Sequence, residues 1–441
     1  MQGIRKLLDK QKKHFEKGGK LEKWYYAFEA METFLFTPDH TTKPRGAQIR
    51  DAIDLKRLMM TVVLAMVPCL LFGIYNAGHQ HFLATGETTS VWDMFGEKLW
   101  LGVKLVIPIV IVSYAVGLGI EFLFATIRRH PVNEGFLVTG MLIPLILPVT
   151  IPLWQVGLAT AFAVIIGKEV FGGTGMNILN VALVARAFLY FAYPSEMSGD
   201  IWTHLPKNET EIVQGFSGAT PLAIGADKSV EASQAITTAE VARSDAERNP
   251  TPAKQRAAQI AQHKADSLNN GRLVLDGFEG HWKSDMYTMK NMFVGFIPGS
   301  IGETSVIAIL LGALLLIVTG VGSWKIMLSV LLGGVSMGYL FNLIGSNEFM
   351  QLPFYYHLVT GGFAFGLVYM ATDPVTAAQT ETGKWIFGFL IGVLTILIRV
   401  VNPAYPEGIM LAILLMNVFA PLIDYYVVQA NKKRRIQRAT V

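Results

Sequence analysis

A short run of small residues carries two hydroxyl groups that are open to covalent chemistry. The run is Gly215-Phe216-Ser217-Gly218-Ala219-Thr220, and it lies in a polar segment between two blocks of apolar sequence. Because glycine and alanine are small, a bulky group can approach the Ser217 and Thr220 hydroxyls closely. The run is therefore a place where a bulky group could contact two hydroxyls. An ordinary Gly/Ser turn is the alternative.

Ionisable residues inside the apolar segments form a second group of candidates. They are Glu134, Lys168, Glu169, Arg186, Asp373, Arg399 and Asp424. Such residues are costly within a membrane and usually face a cavity or a partner. The carboxylates are hard oxygen ligands, suited to sodium or to relayed protons. Solvation by headgroup water, or pairing with Lys168 and Arg399, is the alternative.

The composition favours a helical membrane protein as the scaffold for these groups. Of 441 residues, 52% are apolar, 16% are charged and 42 are glycine, and glycine permits close contact between membrane helices. A soluble protein with several domains is the alternative, but long apolar runs argue against it. The single cysteine, Cys69, excludes a disulfide framework and a cysteine-ligated iron–sulfur cluster held by this chain alone.

Apolar runs of about 20 residues predict ten membrane-crossing helices. The expected ranges are 58–76, 101–125, 135–151, 153–171 and 175–194, then 293–320, 326–344, 355–372, 385–402 and 407–428. Pro144, Pro148 and Pro152 interrupt the third run and predict a half-helix or a kink.

Lysine and arginine in the loops predict the orientation. Residues 1–57 contain thirteen of them and predict a cytoplasmic arm that lies on the membrane or a partner subunit, or is solvated. Four later loop residues fall on the same side when the number of helices is even: Arg128, Lys168, Lys325 and Lys384. The basic tail 429–441 follows them, so both termini are expected in the cytoplasm and loop 195–292 outside.

The two halves of the chain share a weak internal similarity. Leu137-Val138-Thr139-Gly140 opens the third run, Leu358-Val359-Thr360-Gly361 opens the eighth, and a proline follows each. The offset of five helices is odd, which predicts an all-α polytopic protein built from two inverted five-helix repeats, 58–194 and 293–428. Inverted repeats with broken helices place their sites near the membrane midplane.

The long outer loop, 195–292, has an unusual middle. Residues 226–272 are rich in Ala, Gln, Lys, Asp and Ser, with few large apolar side chains. This composition buries little, although its alanine content allows short surface helices.

The sequence Ser-Gly-Ala-Thr at 217–220 resembles the flavin-attachment motif of two related membrane families. These are the B subunit of the sodium-pumping NADH:quinone oxidoreductase and the D subunit of the Rnf electron-transport complex. In both families the last Thr carries FMN as a phosphoester, which implies that role for Thr220, with Ser217 and Gly218 beside it. The family motif usually opens with Asp-Gly, and Gln214 departs from it. An exported flavin transferase modifies these families, which agrees with an outer location for Thr220.

Other stretches resemble the oxidoreductase B subunit over nearly the whole chain except about 221–275. They are 133–136, 168–175, 361–366, 370–374, 398–408 and 420–424. The basic N-terminal arm is characteristic of the B subunit, so the Rnf D subunit is the more distant relative.

The resemblance also implies a non-covalent riboflavin near the fifth run and the Asp373 motif. Asn177, Asn180 and Asp373 are candidate partners of its polar ring edge, because amides offer both donors and acceptors. Hydrogen bonding between helices is the alternative role of the two asparagines, and Val181 stands where the family usually has proline. The candidates for an ion path are Glu134, Asp373, Asp424, Phe363 and Phe365, and no tightly bound metal is expected.

The function implied by the resemblance is that of the flavin-carrying subunit of a respiratory sodium pump in the bacterial inner membrane. Electrons would pass from covalent FMN to riboflavin and then to ubiquinone, coupled to sodium export. The run Gly172-Gly173-Thr174-Gly175 lacks the Gly-Lys-Ser/Thr ending of a phosphate loop. The resemblance puts the NADH chemistry on another flavin/iron–sulfur subunit of the same complex, and no nucleic-acid partner is expected. A cofactor-free inverted-repeat transporter and a structural membrane scaffold are the alternatives.

Overall fold

The computed structural model describes residues 55–88, 90–129, 135–206, 212–268, 271–283, 285–402 and 405–439, with isolated positions between 11 and 28. Within these ranges every regular element is a helix. This confirms the all-α class that the apolar runs predict.

The helices of the first half and of the outer loop follow the predicted order. The first half contains α1 Leu55–Ala84, α2 Phe95–Arg128, α3 Phe136–Leu145, α4 Leu153–Gly167 and α5 Val181–Ala192. The outer loop contains α6 Pro221–Arg248, α7 Pro252–Leu268, α8 Leu273–Glu279 and α9 Met289–Val294.

The second half contains both long and broken helices. These are α10 Val306–Val318, α11 Trp324–Ile344, α12 Glu348–Gln351, α13 Phe354–Val359, α14 Phe363–Phe365, α15 Glu381–Val401 and α16 Ile409–Ala439. A π-helical turn, Gly366–Met370, extends α14.

Six helices of the described chain are long and apolar enough to cross a membrane. They are α1, α2, α4 with the turn that follows it, α11, α15 and α16. Three shorter apolar helices, α3, α5 and α10, and the broken pair α13–α14 correspond to the other four predicted crossings. The structure thus confirms a polytopic helical membrane protein, in which several of the predicted crossings are made of shorter pieces.

The sixth predicted helix, 293–320, is wrong as a continuous element. Its first part is an irregular stretch, 295–305, between α9 and α10. Gly295 has a φ of 110°, which few residues other than glycine adopt, and Pro298 lacks an N–H group to continue a helix. Instead, Ile301 N donates to Leu147 O at 3.1 Å, next to the broken end of α3.

The eighth predicted helix, 355–372, is also interrupted. Helix α13 ends at Val359 and α14 begins at Phe363, with Gly361 at a φ of 60° in the break. By contrast, the half-helix predicted from the prolines of the third run is confirmed, because α3 ends at Leu145.

The middle of the outer loop is more ordered than its composition predicts. Helices α6 and α7 have 28 and 17 residues, so the prediction of short surface helices is wrong in length. The two helices pack against each other through Ala235, Ala239 and Ala265. Val241 and Ile260 are exposed, which agrees with the expectation that this segment buries little.

The two halves pack in a similar order around their broken helices. In the first half α2 packs on α3 and α4, and α4 on α5; in the second α11 packs on α13 and α15, and α15 on α16. Helix α10 packs on α1 and joins the halves. This order agrees with the predicted repeat, whose inverted orientation stays a prediction.

Helices α11 and α15 approach so closely that glycine is needed between them. A Cβ on Gly392 would overlap the carbonyl oxygen of Val330, whereas a Cβ on Gly119 of α2 would meet nothing within 4 Å. We therefore expect Gly392→Ala to destabilise the protein by about 1–3 kcal/mol, the usual cost of overpacking.

The effect of Gly392→Ala is measured by heating the protein in detergent and recording the fraction that stays monodisperse at each temperature. The matched control is Gly119→Ala, which should be neutral or stabilising because alanine is the better helix former. Equal melting behaviour of the two variants would contradict the close α11–α15 packing.

Candidate functional site

Thr220 lies at the first turn of α6. Its Oγ1 accepts a hydrogen bond from Ala223 N at 3.2 Å, so Thr220 is the N-cap of the helix, and Pro221 occupies the first helical position. The side chain is half-buried. The free N–H groups at a helix N-terminus attract anions. A phosphoester on Thr220 would therefore lie where a helix end favours negative charge.

Two aromatic side chains from the end of the outer loop hold the backbone before Thr220. Trp282 Nε1 donates to Ser217 O at 3.1 Å, and the Tyr287 hydroxyl donates to Ala219 O. Burial raises the pKa of Tyr287, so its hydroxyl stays protonated and able to donate. The Phe216 ring lies 5.1 Å from that of Trp282. These contacts fix the loop and leave the Thr220 side chain at the helix end.

The Ser217 hydroxyl is engaged within its own loop. It donates to Asp200 Oδ2 at 3.2 Å and accepts from Ala219 N at 3.3 Å. Gly218 lies so close to Asp200 O that a Cβ would come within 2.8 Å of it. Ser217 and Gly218 therefore shape the loop and differ in role from Thr220.

A small pocket lies beneath Thr220 and extends to two glutamates that sequence reasoning missed. The pocket has a cavity volume of about 30 Å³, and its lining includes Thr220, Ser300, Glu303, Thr304 and Glu407. Glu303 belongs to the irregular stretch 295–305, and Glu407 precedes α16. Glu407 falls within 398–408, a stretch that already resembled the oxidoreductase family, but nothing in the sequence pairs it with Glu303.

Arg186 of α5 joins these two glutamates to the broken end of α3. Its Nη1 donates to Ile146 O, to Ser300 Oγ at 3.0 Å and to Glu303 Oε2 at 3.4 Å. Its Nη2 donates to Glu407 Oε1. The guanidinium is buried, so this ion-paired cluster explains how a charge predicted at membrane depth is tolerated.

Arg399 of α15 plays the corresponding role at the broken end of α13. It donates to the backbone oxygens of His357 at 2.6 Å, Thr360 at 3.3 Å and Glu407 at 3.3 Å. A further bond from its Nε reaches Pro406 O at 3.2 Å. Arg399 is fully buried. It therefore satisfies carbonyls that the interrupted helix leaves without helical partners.

The three predicted riboflavin residues line one cavity on a different part of the molecule. Asn177, Asn180 and Asp373 face a cavity of about 820 Å³, measured with its open mouth, whose lining also includes Lys168 and Tyr369. This cavity shares no lining residue with the pocket beneath Thr220. The sequence thus predicted residues that the fold brings together from distant segments.

Asn180 and Asp373 are held in place by local hydrogen bonds. Asn180 Nδ2 donates to Asp373 Oδ2 at 3.3 Å, and its Oδ1 accepts from Leu183 N at 3.2 Å as the N-cap of α5. Asp373 also accepts from Val375 N at 3.1 Å and Thr376 Oγ1 at 3.0 Å. The Asn180 cap starts α5 at Val181, so the absence of a proline there does not prevent the helix from forming.

Among the described residues, the remaining candidates for the ion path do not line the cavity that contains Asp373. Asp424 accepts from Thr380 N at 3.0 Å and Gln379 N at 2.7 Å, and it does not line the cavity. Phe363 and Phe365 are buried in the main core and line neither pocket. Glu134 lies outside the described residues.

Other predicted membrane-depth charges form pairs. Lys168 Nζ donates to Glu121 Oε1, and both side chains are buried. Glu169 pairs with Arg128 at 3.1 Å. Sequence reasoning named Lys168 and Glu169 but missed Glu121, because a single carboxylate within α2 gives no signal of its partner.

One chain segment connects the two pockets. Gly361 lines the pocket beneath Thr220, whereas Tyr369 and Asp373 line the cavity with Asn180. Only eight residue steps separate Gly361 from Tyr369, through the short helix α14 and its π-helical turn. Phe363 and Phe365 lie between these ends, and the rings of Phe365 and Tyr369 are 4.8 Å apart.

Comparison with known proteins gives matches along nearly the whole chain. The model described as "NQR2, RnfD, RnfE family" matches residues 43–433. A protein of Pseudomonas paraeruginosa, named as the B subunit of Na(+)-translocating NADH-quinone reductase, is 46% identical, with 99% of each chain covered. Proteins of the same name from Ectopseudomonas mendocina and Azotobacter vinelandii are 46% and 45% identical, also with 99% of each chain covered. Thr220, Asp373 and Glu407 all fall within the matched range.

Proposed function

Because the chain belongs to the NQR2, RnfD, RnfE family, we propose that it is the B subunit of a sodium-translocating NADH:quinone reductase. This membership confirms the family predicted from the sequence. In the proposal, the chain carries FMN on Thr220 and riboflavin in the cavity with Asp373, and serves quinone reduction and sodium export. The observation that carries it is the position of Thr220, a half-buried hydroxyl at a helix N-terminus in a loop fixed by Trp282 and Tyr287.

The residues at Thr220 fit a phosphoester of FMN. The Thr220 oxygen is available at the first turn of α6, and the positive end of the helix favours the phosphate charge. The aromatic pair Phe216 and Trp282 lies in the same loop. Flavins supply one- and two-electron transfer when bound. The role of this chain is to hold the phosphate at a fixed position while the loop stays rigid.

The inner cavity fits the polar edge of a second flavin by the chemistry of its lining. Asn177 and Asn180 offer amide donors and acceptors, and Asp373 offers carboxylate oxygens. Apolar residues such as Leu142 and Leu316 line its walls. We propose that Asn177, Asn180 and Asp373 bind the polar edge of riboflavin.

The proposed partners carry out the steps that are not assigned to this chain. We propose that other membrane subunits and a flavin/iron–sulfur subunit supply the NADH chemistry, that ubiquinone is the acceptor, and that an exported flavin transferase modifies Thr220. The relatives named above are subunits of a reductase with more than one chain, which supports the assembly. We place the protein in the bacterial inner membrane, with both termini in the cytoplasm.

The first prediction concerns the attachment residue. Thr220→Ala should abolish covalent FMN, because it removes the only hydroxyl at the α6 N-terminus among the residues of the 217–220 motif. The matched control, Ser217→Ala, should keep FMN. In-gel flavin fluorescence after denaturation, and mass spectrometry of the peptide spanning 215–225, report both results. FMN found on Ser217 would overturn the assignment to Thr220, and FMN on neither residue in cells that contain the transferase would favour the cofactor-free transporter.

The second prediction concerns orientation. Glu240 is exposed on α6, so a cysteine placed there should react with an impermeant thiol reagent in intact cells. The buried Cys69 is replaced by alanine in this background. A cysteine in the tail 429–441 should stay unlabelled until the cells are opened. Protection at position 240 together with labelling of the tail would reverse the topology.

The third prediction concerns the carboxylates of the inner side. Asp373→Asn and Asp424→Asn keep the side-chain shape but remove the charge, so each should raise the sodium concentration for half-maximal quinone reduction. A loss of about 1.4 kcal/mol corresponds to a tenfold shift. Titration of sodium in the assembled complex measures it, with flavin content determined on the same sample.

A structural role gives a different outcome for these two variants. Because Asp424 accepts hydrogen bonds at the start of α15, a purely structural role predicts poor assembly with normal sodium dependence in the remaining enzyme. Variants that assemble, keep both flavins and show wild-type sodium dependence would remove both carboxylates from the ion path.

A further inference from the structure

The pocket beneath Thr220 contains three buried oxygens without hydrogen-bond partners among the described residues. They are Glu303 Oε1, Glu407 Oε2 and Thr304 Oγ1. All three residues line the same pocket. Buried polar atoms are nearly always satisfied, and an unsatisfied group calls for a water, an ion or a functional role. Three such oxygens on one pocket indicate a binding site for a cation or a hydrogen-bond donor.

The ion pairs with Arg186 do not use these carboxylate oxygens. Arg186 binds one oxygen of each glutamate, Glu303 Oε2 and Glu407 Oε1. The orphan atoms are the second oxygen of each carboxylate. One guanidinium opposes two carboxylates, so this three-residue set carries a net negative charge when all are ionised. Arg399 contacts the backbone oxygen of Glu407 and not its side chain.

Thr304 is an independent sign of a ligand. Its side chain is about 95% buried, and its hydroxyl finds no partner in the described part of the chain. It belongs to neither ion pair. A hydroxyl can always donate its proton, yet that of Thr304 donates to neither carboxylate. A ligand bound in the pocket that all three residues line would give these oxygens a partner.

The backbone around the pocket leaves room for such a ligand. Gly361 lies in the break between α13 and α14 with a φ of 60°, and it lines the pocket. A Cβ on Gly362 would meet Glu303 Oε1. Ser300 and Gly299 of the irregular stretch 295–305 complete the wall. Irregular backbone between broken helices is where membrane transporters coordinate alkali cations.

We propose that this pocket is an alkali-cation site, with Glu303, Glu407 and Thr304 as side-chain ligands. Carboxylate and hydroxyl oxygens are hard donors, the class that such cations prefer. The proposal deepens the proposed function and rests on it only for the identity of the ion, sodium. It places a sodium site next to Thr220, on the side of the molecule opposite the carboxylates Asp373 and Asp424 in the predicted topology.

Thr304→Val is the most informative variant, because valine keeps the shape and removes only the hydroxyl. In a pocket without a cation, loss of an unsatisfied hydroxyl is neutral or stabilising, and sodium binding stays unchanged. In a cation site, the variant loses one ligand. We expect the dissociation constant for sodium at this site to rise at least tenfold, and Thr304→Ser, which keeps the hydroxyl, to bind as the wild type does.

Equilibrium dialysis with radioactive sodium, at constant ionic strength held by choline chloride, measures binding to the assembled complex. Glu303→Gln should weaken sodium binding as Thr304→Val does. The matched control is Glu348→Gln: Glu348 is equally buried, but both its oxygens accept backbone hydrogen bonds from Gly271 and Leu273. This control should leave the isotherm unchanged.

Covalent flavin on Thr220 is read on the same samples, so the two proposals fail separately. A flavin-bearing complex in which Thr304→Val and Glu303→Gln keep the full wild-type sodium isotherm overturns the cation site and leaves the flavin assignment standing. Equal loss of sodium binding in Thr304→Ser and Thr304→Val also overturns it, since the hydroxyl would then be irrelevant. Absence of flavin with intact, Thr304-dependent sodium binding overturns the flavin assignment alone.

Discussion

Satisfying the ends of broken helices inside an apolar environment is the constraint on which the rest of this structure depends. Backbone groups left without partners in hydrocarbon cost several kcal/mol each, so interrupted helices persist only where protein groups replace the lost bonds. Here two buried arginines supply the donors. Arg186 reaches Ile146 O beyond α3, and Arg399 reaches His357 O and Thr360 O at the end of α13. Glu407 binds Arg186 through its side chain and Arg399 through its backbone.

The breaks place the candidate sites. The irregular stretch 295–305 pairs with the end of α3 and brings Glu303 to Arg186. The break after α13 places Gly361 on the same pocket. Beyond it, α14 and its π-helical turn lead to Tyr369 and Asp373 in the second cavity. A continuous helix from 355 to 372 would remove the opening at Gly361. The interruptions are therefore the feature that places both pockets along one chain segment.

The sequence predicts much of this because its strongest signals are local. Apolar length locates the long apolar helices of the described chain, the prolines locate the end of α3, and the Asn180 and Asp373 motifs identify residues that meet in one cavity. The missed features depend on contacts between distant segments. Glu303 forms an ion pair with Arg186, which lies 117 residues away along the chain. The break at 295–305 has a local signal in Gly295 and Pro298, but the backbone bonds that hold it, to Leu145 and Leu147, come from a distant segment.

Composition also misleads where small residues pack on one another. The alanine-rich middle of the outer loop predicts little burial and only short surface helices, because it lacks large apolar side chains. Alanine is nevertheless the best helix former, and Ala235, Ala239 and Ala265 allow α6 and α7 to pack closely. This packing also bears on the candidate attachment site, because Thr220 caps the N-terminus of α6.

The surroundings of the two hydroxyls in the 217–220 motif explain why they are not equivalent acceptors of a phosphate. On Ser217 a phosphate would replace the hydrogen bond to Asp200 Oδ2 and stand beside that carboxylate, where like charges repel. On Thr220 it would stand at the N-terminus of α6, where a negative charge gains about 0.3–1 kcal/mol from the helix dipole. Esterification leaves the Thr220 oxygen able to accept from Ala223 N. Both effects favour Thr220 as the proposed acceptor, and the second depends on α6 beginning at Pro221.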